Sequence, residues 1–127
     1  EVTKMCELKN VSAIHARAEE LGRDVQYREK FDVCVSRAVA NMSTLLEYCI
    51  PFVKVGGVFV SYKSGDIKEE LVAADNAQKQ LFCKNKDVIK FSLPNTDINR
   101  SFVIFEKKKE LNKKYPRQGG KPKKNPL

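Results

Sequence analysis

Apolar residues in this chain fall into two kinds of spacing, short near-continuous runs and stripes about 3.6 residues apart, and their order predicts an α/β protein. The clearest run is Phe31 to Ala40, F-D-V-C-V-S-R-A-V-A. Its apolar part lacks strict alternation and predicts a buried strand over 31–36, covered on both faces as in a parallel sheet between helical layers. It ends in Ser36 and Arg37, so it delivers an arginine to the carboxyl rim, where open α/β sheets bind their ligands.

From Asn41 to Val55, the residues Leu45, Leu46, Cys49, Ile50, Phe52 and Val53 keep a helical period, and Asn41 or Ser43 can cap the start. Pro51 lacks a backbone donor and crowds the Glu47 carbonyl, which predicts a kink or an early end there. Gly56-Gly57 is expected as the helix stop. Val58–Tyr62 is the next strand, closing a βαβ unit with an expected right-handed crossover, and its end presents Lys63-Ser64-Gly65. Asp66 and Glu69 have capping-box spacing, and Ile67, Leu71, Ala74 and Leu81 predict a second helix ending near Cys83. The runs 88–93 and 101–105 are separated by a connection too short for a helical crossover, so they must pair antiparallel.

Ahead of these elements, Val2, Met5 and Leu8 recur at helical spacing without an N-cap, as in the last turns of a helix already under way. V-S-A-I-H alternates as a short strand through Ile14 and leads to Arg17-Ala18-Glu19-Glu20, and the charged stretch 22–30 reads as a surface loop or short helix. Beyond Lys107 the apolar pattern stops, and Pro, Gly and Lys mix in a way that predicts an extended tail. The expected organisation is one domain over 1–106 and a basic extended tail over 107–127.

Charge sharpens that division. The net charge is +8, yet residues 107–127 hold nine Lys or Arg against one Glu, while the rest of the chain balances fifteen against fifteen. The basicity belongs to the tail, which favours a specific anionic contact over a generally positive surface. Within it, Tyr115 and Pro116 sit between Lys113, Lys114 and Arg117, and aromatic interleaving with cations suits RNA stacking and phosphate contact. The competing reading is a solvated end. No apolar run approaches the roughly 18–20 residues of a membrane-spanning helix, and no signal-peptide h-region precedes a small-residue cleavage site, so a cytoplasmic protein without a membrane partner is expected.

The candidate chemistry is sparse. Cys6, Cys34, Cys49 and Cys83 are irregularly spaced, without the pairs of zinc or redox sites, and read as buried structural thiols; no metal is expected. His15 is the only histidine, no Ser-His-Asp or Cys-His set can be drawn, and no G-x-G-x-x-G loop occurs. Arg17-Ala18-Glu19, Ser36-Arg37 and Tyr62-Lys63-Ser64-Gly65 leave strands with polar ends that open on one rim of a doubly wound sheet. The bland reading of Arg37 is a salt bridge to Glu19 or Asp32.

The segments R-A-E-E (17–20), F-D-V-C-V-S-R-A-V-A (31–40), Y-C-I-P-F-V-K-V-G-G (48–57) and K-Y-P-R (114–117), in this order and with the closing K-P-K-K-N-P-L, carry a resemblance over essentially the whole chain. It resembles the bacterial small-subunit ribosomal RNA guanine-N7 methyltransferases, formerly called glucose-inhibited division protein B. The resemblance implies a truncated class I, Rossmann-like sheet of strands three to seven ending in an antiparallel pair, and S-adenosyl-L-methionine as cofactor. It implies that Ala18 and Glu19 lie in the loop holding the adenosine part and that Arg37 faces the cofactor after the fourth strand. Lys63, Arg100, Lys113, Lys114, Tyr115 and Arg117 become candidates for contact with 16S ribosomal RNA or the small ribosomal subunit, with no DNA partner.

The resemblance also implies a deficit. The family's glycine-rich loop after the first strand and the acidic residue after the second are not found here, so this chain alone is expected to bind the cofactor poorly and to be inactive. Residues 11–15, without native neighbours, are expected to pair elsewhere or be loosely held, and the exposed sheet edge offers a route to a dimer. A rival from another class is a non-catalytic RNA-binding or ribosome-assembly module. A nicotinamide-dependent reductase is disfavoured by the antiparallel pair and the K-Y-P-R segment.

Overall fold

The computed structural model describes residues 14, 16–37, 41–64, 67–92, 94–95, 99–118 and 120–127. The opening helical stretch and, apart from Ile14, the strand expected over 11–15 lie outside them. The elements are α1 (Ala18–Leu21), β1 (Phe31–Ser36), α2 (Met42–Cys49) with a 3-10 turn (Ile50–Phe52), β2 (Val53–Ser64), α3 (Lys68–Ala73), α4 (Asp75–Gln80), β3 (Cys83–Ser92), β4 (Asn99–Lys107) and α5 (Lys121–Lys124).

The strands form one sheet in the order β1-β2-β4-β3. β1 and β2 are parallel, as a strand-helix-strand unit requires, and β4 inserts antiparallel between β2 and β3. The expected antiparallel pair is therefore present, with its second member in the interior of the sheet. β3 starts at Cys83, earlier than its apolar run. Lys84, Asn85 and Lys86, which follow Cys83, belong to a strand at the edge of the sheet among the described residues, where charged side chains deter pairing with another chain.

α2 starts where expected, with Asn41 Oδ1 accepting from the Thr44 amide at 2.9 Å. The α-helix ends at Cys49 and passes into the 3-10 turn that contains Pro51, whose carbonyl accepts from the Glu29 amide at 2.7 Å. Gly56-Gly57 does not stop the helix; both glycines lie inside β2. Between the pairs Phe31–Val53 and Val33–Val58 the register shifts, so β2 carries extra residues there. Gly56 has φ +87, a conformation glycine adopts without a Cβ penalty. A Cβ on Gly57 would lie 2.7 Å from the Asp32 carbonyl oxygen and 2.8 Å from Val53 Cγ1. The glycine pair is thus a bulge that lets two strands approach closely.

The helices cover one face of the sheet. Met42, Leu45, Leu46 and Ile50 pack with Phe59, Val103, Phe105 and Leu81, and the rings of the cross-strand pair Phe59 and Phe105 stack at 6.1 Å. The opposite face holds Val33 and Val35, which are 54% and 72% exposed. The expectation that residues 31–36 form a strand buried on both faces is corrected: among the described residues β1 is an edge strand open on one side.

The C-terminal segment is corrected as well. Residues 107–127 do not form an extended tail, because Lys107 closes β4 and Leu111, Tyr115 and Pro122 are buried. The segment lies over α2, whose outward Thr44 donates its hydroxyl to the Pro122 carbonyl at 2.8 Å. Spacing gave no sign of this, since its few apolar residues are separated by lysines and follow no period.

Candidate functional site

The carboxyl ends of β1 and β2 and the start of β4 meet on one rim. Arg37, just past β1, lies over the Tyr62 ring with its guanidinium carbon 5.2 Å from the ring centre, a cation–π arrangement. Tyr62 in turn packs against Phe102 at 5.6 Å and Phe91 at 6.2 Å, so an aromatic cluster across three strands supports the arginine. Asp32 pairs with Lys54, not with Arg37. An open cavity of about 310 Å³ lies here, bounded by Val35, Arg37, Val60, Tyr62 and Phe102.

Arg100 is at the same rim, paired across strands with Ser64 and Phe91. Lys63 sits beside it along β2 but points the other way. Side chains alternate along a strand, so Lys63 enters the helical side and makes an ion pair with Glu70 at 3.3 Å. The Oε2 of Glu70 is buried without a hydrogen-bond partner. Ala18 and Glu19 lie on α1, one turn that follows Arg17.

Lys113, Lys114, Tyr115 and Arg117 lie away from this rim, on the helical side. Arg23 donates to the carbonyls of Pro116 and Lys114, both at 2.9 Å, and Arg28 donates to those of Tyr115 at 2.7 Å and Asn112 at 3.0 Å. Two arginines of the 22–30 loop therefore hold the K-Y-P-R segment by its backbone. Tyr115 is 4% exposed, and its hydroxyl meets Gln80 Oε1 at 3.3 Å, so its ring fills the core. Arg117 grips the fully buried Glu47 through Nε and Nη2, at 3.0 and 2.8 Å, and that hydrogen-bonded pairing raises the arginine's pKa. Lys113 and Lys114 are exposed.

A second ion pair locks the same layer. Lys107, 0% exposed, donates to Glu29 Oε1 at 2.8 Å and to the Val53 carbonyl at 2.7 Å, and Glu29 also accepts from the Leu111 amide at 2.6 Å. Burial lowers the Lys107 pKa despite Glu29. Burial works against the Glu29 carboxylate, yet the Lys107 and Leu111 hydrogen bonds prevail and hold its pKa below the ordinary 4.5. Arg23, Arg28, Glu29 and Glu47 escaped notice in the sequence. The signal for Glu47 was its place in the middle of an apolar helix, where a carboxylate needs a partner.

A larger cavity, about 580 Å³, opens beside the K-Y-P-R segment and is lined by Arg17, Glu20, Arg23, Lys114, Arg117 and Lys121 among others. Cys34, Cys49 and Cys83 are free thiols. The hydrogen bond with Cys34, together with burial, raises the Cys49 pKa, and burial pushes Cys83 up to about 12, so neither is a ready nucleophile. Cys6 and His15 lie outside the described residues. Among the described residues, no group of three or more His, Cys, Asp or Glu could hold a metal, and no helix is long and apolar enough to cross a membrane.

The sheet order, with an antiparallel strand inserted beside a parallel pair, defines a partial Rossmann-like methyltransferase fold. A solved structure, M. jannaschii TYW2 in complex with AdoMet, superposes with a TM-score of 0.56 over 83% of this chain and 50% of that one, at 20% identity. Residues 1–102 match the family described as GidB, rRNA small subunit methyltransferase G, and the chain belongs to that family. The Ribosomal RNA small subunit methyltransferase G of Lachnoclostridium phytofermentans is 52% identical over all 127 residues, and that of Acetivibrio thermocellus 49%. The chain spans about half the length of these relatives, 52% of each.

Proposed function

We propose that the whole protein to which these residues belong transfers a methyl group from S-adenosyl-L-methionine to guanine N7 of 16S ribosomal RNA in the cytoplasm. Family membership supports the reaction class, and the rim at the end of β1 supports where it occurs. S-adenosyl-L-methionine combines a flat adenine ring, whose faces suit apolar walls, with a carboxylate. A cavity with walls of Val35, Val60 and Phe102 and one guanidinium suits one flank of such a molecule. Arg37 would hold that flank, with Ala18 and Glu19 lining the adenosine side.

When bound, the cofactor supplies an electrophilic methyl on a sulfonium. Guanine N7 carries an in-plane lone pair and no proton, so the nucleophile needs no general base. Catalysis then rests on alignment and exclusion of water, which agrees with the lack of any acid–base pair among the described rim residues. Arg37 acts by positioning, its guanidinium held against Tyr62. Arg100, on the open face of the rim, would meet the RNA near the target base, whereas Lys63, buried and paired with Glu70, would support the rim from the helical side in place of the RNA contact expected of it. Lys113 and Lys114 meet phosphates further out, while Tyr115 and Arg117 hold their backbone in place from within the core. These residues by themselves are proposed to be inactive, because no glycine-rich cofactor loop occurs among them.

Calorimetric titration of the whole protein tests this division. Arg37→Ala should weaken S-adenosyl-L-methionine binding about tenfold with RNA affinity nearly unchanged, and Lys113→Gln with Lys114→Gln should do the reverse. Equal loss of both affinities in each variant would refute it.

A further inference from the structure

The 580 Å³ cavity beside the K-Y-P-R segment is where cations from three separated stretches converge: Arg17 and Arg23 around α1, Lys114 and Arg117 after β4, and Lys121 at α5. One carboxylate, Glu20, shares the lining, and the buried Glu47 balances Arg117. The cavity therefore keeps an excess of positive charge. Low-dielectric walls of the folded layer focus that field outward.

The arrangement is also fixed before any ligand arrives. Arg23 is tied to the carbonyls of Pro116 and Lys114, and Arg117 is tied to Glu47 and to the Asn125 carbonyl at 2.7 Å. Arg23 and Arg117 hold the backbone of the walls, and the exposed Lys114 and Lys121 line the cavity, with Lys114 Nζ 5.2 Å from the Tyr115 ring centre. Pinned walls with exposed lysines suit a tetrahedral, multiply charged oxyanion, because little ordering remains to be done on binding. The volume exceeds that of a lone phosphate and accommodates the sugar attached to it.

We propose that this cradle binds a backbone phosphoryl group of the RNA substrate, as an anchor separate from the methyl-transfer rim. The proposal rests on the RNA reading above and adds Arg17, Arg23 and Lys121 to the contact set. Arg17 immediately precedes the turn that carries Ala18 and Glu19, so the anchor adjoins the adenosine side of the site.

The test is fluorescence anisotropy of the whole protein with a transcribed fragment of 16S ribosomal RNA over a range of KCl concentrations. The double variant Lys114→Gln, Lys121→Gln is compared with Lys79→Gln, an exposed lysine elsewhere. The cradle variant should lose about tenfold or more in affinity at low salt and flatten the log–log salt slope by about one per lysine, with S-adenosyl-L-methionine affinity kept. Lys79→Gln should change neither. Wild-type affinity and slope in the double variant, with methyl transfer intact, would overturn the cradle and leave the methyltransferase reading standing. Failure of the wild-type protein to bind the RNA would overturn both. A phosphoryl group can also come from a free nucleotide, so uridine monophosphate serves as competitor. Displacement of the RNA at equal concentration would assign the cradle to free nucleotides and overturn the RNA anchor.

Discussion

The two faces of the sheet are built from the same four strands and behave as different proteins would. On the helical face, among the described residues, the buried charges find partners of opposite sign, Lys107 with Glu29, Glu47 with Arg117 and Lys63 with Glu70, and the stacked pair Phe59 and Phe105 lies in the core. On the open face Val33, Val35 and Ile89 meet solvent, and at its rim Arg37 rests on Tyr62. The difference separates two roles for basic residues that composition alone merges. Cations of the C-terminal segment divide into those that hold the fold and those that are exposed, while on the open face Arg37 rests on an aromatic ring.

Breaking the helical face should have the largest effect. Arg117→Ala leaves the buried Glu47 without its guanidinium and should cost about 3–5 kcal/mol of unfolding free energy, measured as a shift of the urea midpoint. Phe105→Ala, which removes half of the stacked pair, should cost about 3–5 kcal/mol in the same measurement.

The Glu29–Lys107 pair adds a pH dependence. Glu29 has a folded pKa below its ordinary 4.5, so the unfolded chain binds the proton more readily. Its stabilisation is fully present above about pH 4.5 and is lost as pH falls through the lower folded value. Thermal melting of the wild-type chain should therefore drop more steeply between neutral and acid pH than that of Glu29→Gln, which starts lower and changes less there. Parallel curves would remove the pair from the account. The open face should show the smallest effect. Val35→Thr is expected to change stability by no more than about 0.5 kcal/mol, because the side chain already faces water. A loss comparable to that of Phe105→Ala would erase the distinction between the faces.

The elements that follow a period were readable from the sequence. α2 with its Asn41 cap, its early end just before Pro51 and the antiparallel partner of β3 all come from local rules of spacing and backbone chemistry. Gly56-Gly57 misled because a glycine pair after a helix looks like a stop, and only the neighbouring strand's carbonyl shows that it is a close approach. The C-terminal layer was hidden for another reason. Its attachment runs through side chains of Arg23 and Arg28 to backbone carbonyls some ninety residues away, a pairing that leaves no periodic trace. The apolar run at β1 predicted cover on both faces, and the described residues supply it on one. Arg37 was legible because a charge ending an apolar strand is conspicuous; its aromatic support from Tyr62, on the next strand, was not.

The central claim is tested most directly by incubating the whole protein with small ribosomal subunits and S-adenosyl-L-methionine labelled in its methyl group, then mapping the label in the RNA. Label is expected at N7 of a guanine in 16S ribosomal RNA, falling at least tenfold with Arg37→Ala at limiting cofactor. Label on another atom, or label undiminished in Arg37→Ala, would contradict it.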